Sequence, residues 1–149
     1  MNSRLVPARE SDRAWLEELR RAVYQGLFQQ TFGGWDEARH LRHCESCWRQ
    51  GGISVIEVDN ARVGMIQLLE RPDVVEISEI QVQPADQGRR IGSHLLKDVI
   101  ARASLSGKTV TLSVGLKNDR AYRLYERLGF HCIGRNDTHY QMSHTTAER

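Results

Sequence analysis

The chain has 149 residues, 40% of them hydrophobic and 27% charged, with a formal net charge of +2. That length favours one domain able to hide roughly 68–70% of its unfolded surface, and so mild a charge argues against a nucleic-acid protein dominated by phosphate neutralisation. No apolar run approaches the ~20 residues of a membrane span, the first residues lack the apolar core of a secretory signal, and three cysteines without framework spacing argue against a disulfide scaffold, so a single cytoplasmic domain over 1–149 is expected.

Leu5-Val6-Pro7-Ala8 reads as a short edge strand, because its proline cannot donate to a ladder. Ser11 or Asp12 can cap the helix that follows. Trp15, Leu16, Leu19, Val23 and Leu27 recur along it at helical spacing, and it is expected to fray or turn near Gly26 and stop before Gly33-Gly34. Asp36 caps a second helix carrying Leu41, Cys44 and Trp48 on one side, with Gly51-Gly52 past its end. Three strands follow: 53–58, then 63–69 after an Asp59-Asn60 turn, then 74–82 after Arg71-Pro72-Asp73.

Pro84 ends the third of these. Ile91, Leu95, Leu96, Val99, Ile100 and Ala103 make the clearest amphipathic helix of the chain. A strand over 109–114, a helix over 120–128 with Gly129 at its C-terminal cap, and a closing hairpin of 131–133 and 139–142 complete the series. The order implies a mixed α/β (α+β) domain, with antiparallel meander strands and helices packed on the sheet.

Two stretches carry the chemistry. Gln87-Gly88-Arg89-Arg90-Ile91-Gly92 lies between a strand and a helix. Unpaired N–H groups and the dipole at a helix start attract anions. Glycines allow close backbone approach, and arginines add charge-assisted hydrogen bonds to phosphate. The same hexapeptide also reads as a surface turn with two solvated arginines. About thirty residues on stand Asn118, Ala121 and Leu124-Tyr125-Glu126-Arg127-Leu128-Gly129-Phe130. Asn118 can hydrogen-bond a ligand or cap the helix. Tyr125 can hand a proton to a leaving group or serve as one more core aromatic.

Taken together, these motifs and the order of elements resemble the GNAT superfamily of acyl-CoA-dependent N-acyltransferases. The detailed match covers roughly 76–130, and the element order extends it over nearly the whole chain. The resemblance implies a central, mostly antiparallel sheet flanked by about four helices, and acetyl-CoA as cofactor. It implies direct acetyl transfer to a primary amine in a ternary complex, with no nucleophilic cysteine. Ile80, Gln81 and Val82 then offer main-chain groups to the pantetheine arm. Gln87, Gly88, Arg89, Arg90, Ile91 and Gly92, with Ser93 just after, bind the pyrophosphate. Asn118 contacts the pantetheine arm, and Tyr125 protonates the departing thiolate. The family turn usually carries glycine where Arg90 stands. A backbone N–H survives that change, and a negative φ is expected there to avoid strain.

The attacking amine must lose a proton, so a general base or a water chain is needed. Glu79 is the first candidate, beside the implied pantetheine segment, and Glu76 the second; Ser113 on the next strand is a poor base. Tyr24, Phe28, Phe32 and Trp35 gather in one glycine-interrupted region, where they line an acceptor site or simply pack helices together. His139 and Tyr140 are weaker acceptor candidates. His40, His43, Cys44 and Cys47 have the composition of a metal set, but all lie on one helix. A single helix rarely wraps a tetrahedral ion, so at least one ligand would come from elsewhere, and no metal is expected. The acceptor is a small-molecule or peptide amine, without membrane or nucleic acid, and a homodimer is open. A non-catalytic acyl-CoA sensor, or an enzyme acting on protein or aminoacyl-tRNA amines, are the rival readings.

Overall fold

The computed structural model describes residues 2–144. Its elements are β1 (Ser3–Pro7), α1 (Arg13–Phe32), α2 (Glu37–Gln50), β2 (Ile53–Val58), β3 (Ala61–Glu70), β4 (Val74–Val82), α3 (Ile91–Leu105), β5 (Thr109–Gly115), α4 (Asp119–Arg127), β6 (His131–Arg135) and β7 (His139–His144). Short 3-10 turns precede α1 and follow β4. The seven strands form one sheet in the order β1-β2-β3-β4-β5-β7-β6. Every pairing described is antiparallel except β4 with β5, which is parallel. The crossover between β4 and β5 runs through α3, as a parallel pair requires. The chain is thus a mixed α/β domain fold with a mostly antiparallel sheet and four α-helices among the described residues.

Turn chemistry explains the boundaries. Asp59 and Asn60 both take positive φ, 52° and 70°, the backbone of a tight hairpin turn between β2 and β3. The Asp36 side chain accepts a hydrogen bond from the Arg39 N–H at 3.0 Å and starts α2. Gly33 in the left-handed conformation ends α1. The expected break at Gly26 does not occur, because α1 runs through it without interruption. An interior glycine costs a helix only about 1 kcal/mol, which the packing of Leu16, Leu19 and Val23 earlier on α1 outweighs.

The chain divides into two compact units. The first holds the residues up to Gln67 together with Glu79–Arg89. Its core is Leu16, Leu19 and Met65, with Ala8, Trp15, Val23, Trp48 and Ile53 packed around them. Gln67, fully buried on β3, donates from Nε2 to the carbonyls of Cys47 (2.7 Å) and Gly51 (2.8 Å). Those are carbonyls at the C-terminal end of α2, which a helix cannot satisfy itself. One side chain therefore pins the helix to the strand. Gly64 on β3 lies so close to β4 that a Cβ would collide with the Gln81 carbonyl oxygen.

The second unit holds Leu68–Ser78 and the residues from Arg90 onward. α3 packs against β5, and Ile91, Leu95, Leu96, Val99 and Ala103 bury its apolar stripe as the 3.6-residue period dictates. Val110, Leu112, Val114, Phe130 and Met142 are buried with it. β7 inserts between β5 and β6, and its register runs from Val110↔His144 to Gly115↔His139. β6 is left as an exposed edge strand. No helix among the described residues is long and apolar enough to cross a membrane.

Candidate active site

β4 is the strand from which the site is built. Its parallel ladder with β5 covers Val74 to Ile77 only, so Ile80, Gln81 and Val82 lie past its end. A strand segment beyond its ladder can accept an extended ligand as an added strand. Gln81 is buried, and its Nε2 donates to Glu79 Oε1 at 3.0 Å. The other carboxylate oxygen of Glu79 lies 3.0 Å from His43 Nε2. Glu79 is therefore held on both sides, with only 15% of its side chain exposed. Glu76, in the second unit, is engaged by Arg71 at 2.8 Å. Ser113 is exposed and accepts from Gln141 Nε2 at 3.4 Å.

The carboxylate of Glu79 faces a small cavity of about 30 Å³ within the first unit, lined among others by Arg20, His43, Cys44, Cys47, Met65 and Gln81. Cys47 is buried there. Burial first, and the charge of Glu79 next, push its thiol up to about 12. Burial likewise raises Cys44. Neither is a ready nucleophile at neutral pH, since the thiolate is the reactive form.

Where the chain leaves β4, Gln87 donates back to the Val82 carbonyl at 2.9 Å, and Arg89 pairs with Asp86 at 2.6 Å. Gly88 has φ +86° with open space where a Cβ would stand. The boundary between the two units falls after Arg89. Arg90 is the N-cap of α3 and its side chain makes no capping hydrogen bond. Its φ is +64°, not the negative value expected. The N-cap of α3 takes the left-handed conformation there, which glycine adopts without steric cost. An L-residue with a bulky side chain tolerates it at a cost of roughly 1–2 kcal/mol. Arg90→Gly is accordingly expected to raise stability, by up to about 1 kcal/mol after the greater chain entropy of glycine is allowed for. A higher urea midpoint at unchanged slope would show it; a lower midpoint would mean that the arginine side chain makes compensating contacts.

In the second unit, Asn118 caps α4. Its Oδ1 accepts from the Ala121 N–H at 3.3 Å, which leaves the amide nitrogen as the group that can face a ligand. Tyr125 is the buried residue of α4, 8% exposed, with its ring edge-on to Phe130 at 6.0 Å. His139 and Tyr140 sit on β7, where Tyr140 packs on Tyr122 at 5.0 Å.

The aromatic group predicted for an acceptor already surrounds a cation of this chain. The Arg20 guanidinium lies 5.5 Å from the ring of Tyr24, 5.6 Å from Phe28 and 5.9 Å from Trp35. The Phe32 side chain lies outside those described. Arg20 donates to His40 Nδ1 at 3.0 Å, so that nitrogen is an acceptor and the other carries the proton. Burial, and then the neighbouring arginines, lower the pKa of His40 and keep it neutral. Trp35 also donates to Glu37, which Arg21 engages; these bonds hold the Glu37 carboxyl at about 2. That tether is in place above the ordinary carboxyl range and is lost as the pH falls toward 2.

The four-residue His/Cys stripe of α2 is therefore divided. His40 turns to Arg20, with Cys44 3.9 Å away, while His43 meets Glu79 and Cys47. The sequence reading placed His43 and Cys47 in a candidate group and named Glu79 and Gln81 for other roles without connecting them, and it missed Arg20 and Gln67 altogether. A polar residue at an apolar position of a strand, as Gln67 is, was the one signal available.

The mixed sheet in this strand order, with its four helices, has the fold of solved acetyltransferases. The chain belongs to the Acetyltransferase (GNAT) family, whose model matches residues 16–130. Among curated proteins it is 36% identical over 83 residues to the spore coat polysaccharide biosynthesis protein SpsD of Bacillus subtilis, covering 54% of this chain and 29% of that one. It is 36% identical over 95 residues to the N-alpha-acetyltransferase RimI of Mycobacterium tuberculosis, covering 64% of this chain and 56% of that one. The chain thus spans well under two thirds of each of these relatives. Among solved structures, PaiA N-acetyltransferase from Thermoplasma acidophilum in complex with coenzyme A superposes with a TM-score of 0.75 at 16% identity, covering 97% of this chain and 99% of that one.

Proposed function

We propose that the chain is one catalytic domain over 1–149 that transfers an acetyl group from acetyl-CoA directly to a primary amine in a ternary complex. The observation that carries this is the placement of Glu79: a carboxylate clamped by His43 and Gln81, on the strand whose next residues run past their ladder, at the wall of a small cavity. Three features suit the cofactor. The turn has a glycine open at its Cβ, α3 starts without a cap from the Arg90 side chain, and Ile80, Gln81 and Val82 are placed to meet an extended arm.

When bound, acetyl-CoA supplies a thioester, activated toward attack, and a thiolate as leaving group. Amides of Gly92 and Ser93 at the head of α3, with Gln87, Gly88, Arg89, Arg90 and Ile91, offset phosphate charge. Glu79 takes the proton of the attacking amine, directly or through water, and the new C–N bond replaces the C–S bond. Tyr125 returns a proton to the departing sulfur. Direct transfer suits a site whose cysteines are held as thiols. The three cysteines, none of them paired, suit a cytoplasmic location. Likeness to RimI favours the α-amine of a peptide or protein as acceptor over a free polyamine or sugar amine, and favours turnover over a sensor role.

The test is thiol release from acetyl-CoA against a panel of small amines and short peptides. Release with at least one acceptor is expected. If no acceptor releases thiol and coenzyme A gives no thermal protection, the reading fails. Glu79→Gln is expected to flatten the rising limb of kcat/KM against pH. An unchanged profile would transfer the base role to Glu76 or to water.

A further inference from the structure

His43 and Cys47 are four residues apart on α2 and therefore share one face of the helix. Their Nε2 and Sγ atoms lie 3.3 Å apart. β4 brings a Glu79 oxygen to 3.0 Å from the same Nε2. The three donor atoms all fall within 4.8 Å of one another. One nitrogen holds one proton, so His43 Nε2 cannot both donate to the carboxylate and accept from the thiol. A cation at the meeting point would satisfy all three groups at once.

We propose that His43 Nε2, Cys47 Sγ and the Glu79 carboxylate bind a zinc-like divalent cation, with the fourth position open to the cavity. Tetrahedral zinc with nitrogen, sulfur and oxygen ligands sets its donors about 3.4–3.6 Å apart, a few tenths of an ångström beyond the two close spacings seen here. The donor set excludes magnesium and calcium, which take oxygen. The cavity of about 30 Å³ has room for a water as fourth ligand. Outer partners are in place: Gln81 Nε2 orients the carboxylate, and Gln67 Nε2 holds the Cys47 carbonyl. On binding, the Cys47 thiol proton leaves to solvent, and the ion's charge offsets the thiolate and carboxylate it joins.

Three protein ligands and one open position make a reversible site rather than a closed structural one. A bound ion occupies the carboxylate that would otherwise take the amine proton, so metal would inhibit acetyl transfer. That consequence, unlike the binding itself, rests on the proposed role of Glu79.

The full chain, reduced with a non-thiol reductant, is titrated with Co²⁺ and followed by thiolate-to-cobalt charge-transfer absorption, then competed with Zn²⁺. About one ion per chain is expected. The band should vanish in Cys47→Ala. Affinity should fall at least as far as the about 10–100-fold lost with an outer partner in His43→Gln. Cys132→Ala, which removes an exposed thiol on β6, should bind as the unsubstituted chain does. Circular dichroism of each variant guards against misfolding. Absence of the band, or a band that survives Cys47→Ala, overturns the site. If the ion binds as described yet zinc leaves acetyl transfer at full speed, the site stands and Glu79 loses its role as base.

Discussion

Tyr125→Phe is expected to lower kcat about 100-fold while the affinity for coenzyme A stays nearly unchanged. The substitution removes one hydroxyl and keeps the ring. Tyr125 is 8% exposed and its packing is carried by the ring edge against Phe130, so α4 and the hairpin beyond it should hold. A proton donor acts on charge that develops only as the C–S bond breaks. Its loss therefore lowers kcat and kcat/KM together and spares KM, the pattern of an interaction made in the transition state. Steady-state kinetics with a saturating amine, alongside calorimetric titration with coenzyme A, separate the two quantities. A mutant at full speed would remove Tyr125 from the chemistry and leave it as a core aromatic.

Gly64→Ala is expected to cost about 3 kcal/mol or more, since no rotation of a methyl group can relieve a backbone collision. A Cβ at Gly64 meets the Gln81 carbonyl oxygen well inside contact distance and the Val82 Cα at 3.1 Å. For a chain of this length that loss lowers Tm by about 6–12 °C. The effect should not stop at stability. Gln81 holds Glu79 from one side, and Gln81 and Val82 are the segment assigned to the cofactor arm. Pushing β4 away from β3 therefore weakens coenzyme A binding as well. Thermal melts with and without coenzyme A give both readouts. A melt within a degree or two of the parent would show that β3 and β4 separate easily, and would undercut β4 as a rigid platform for the site.

The kinds of elements and their order were legible because they depend on local chemistry. Asp36, Asp59-Asn60, Gly33 and Gly129 punctuate the chain through turn and cap preferences. The stripe from Ile91 to Ala103 repeats at the helical period. The parts that went unread are those where local preference loses to packing. Gly26 is bridged because the helix it sits in is anchored by Leu16, Leu19 and Val23. Arg90 takes positive φ as the N-cap of α3, against the local preference of a bulky L-residue. The aromatic residues near Trp35 receive Arg20, which lies four residues before Tyr24 and eight before Phe28 on the same helix face, a spacing visible in hindsight but silent about which cation the rings would meet.

Residue order alone carried the family's motifs from Gln87 to Phe130, and with them the expected cofactor and the candidate proton donor; it left the base open between Glu79, Glu76 and water. Only folding decided which partners the His and Cys side chains of α2 meet. The His/Cys stripe of α2, from His40 to Cys47, spans about 10.5 Å along the axis, too far for one ion, so it had to divide. Which half meets a carboxylate depends on the packing of α2 against β3 and β4, fixed by Gln67 and by a glycine at position 64. His43 and Glu79 are 36 residues apart in the chain and 3.0 Å apart in space. Periodicity reports which side of an element a residue occupies, but not which element will lie against that side. That is set by the burial of apolar surface across the whole domain.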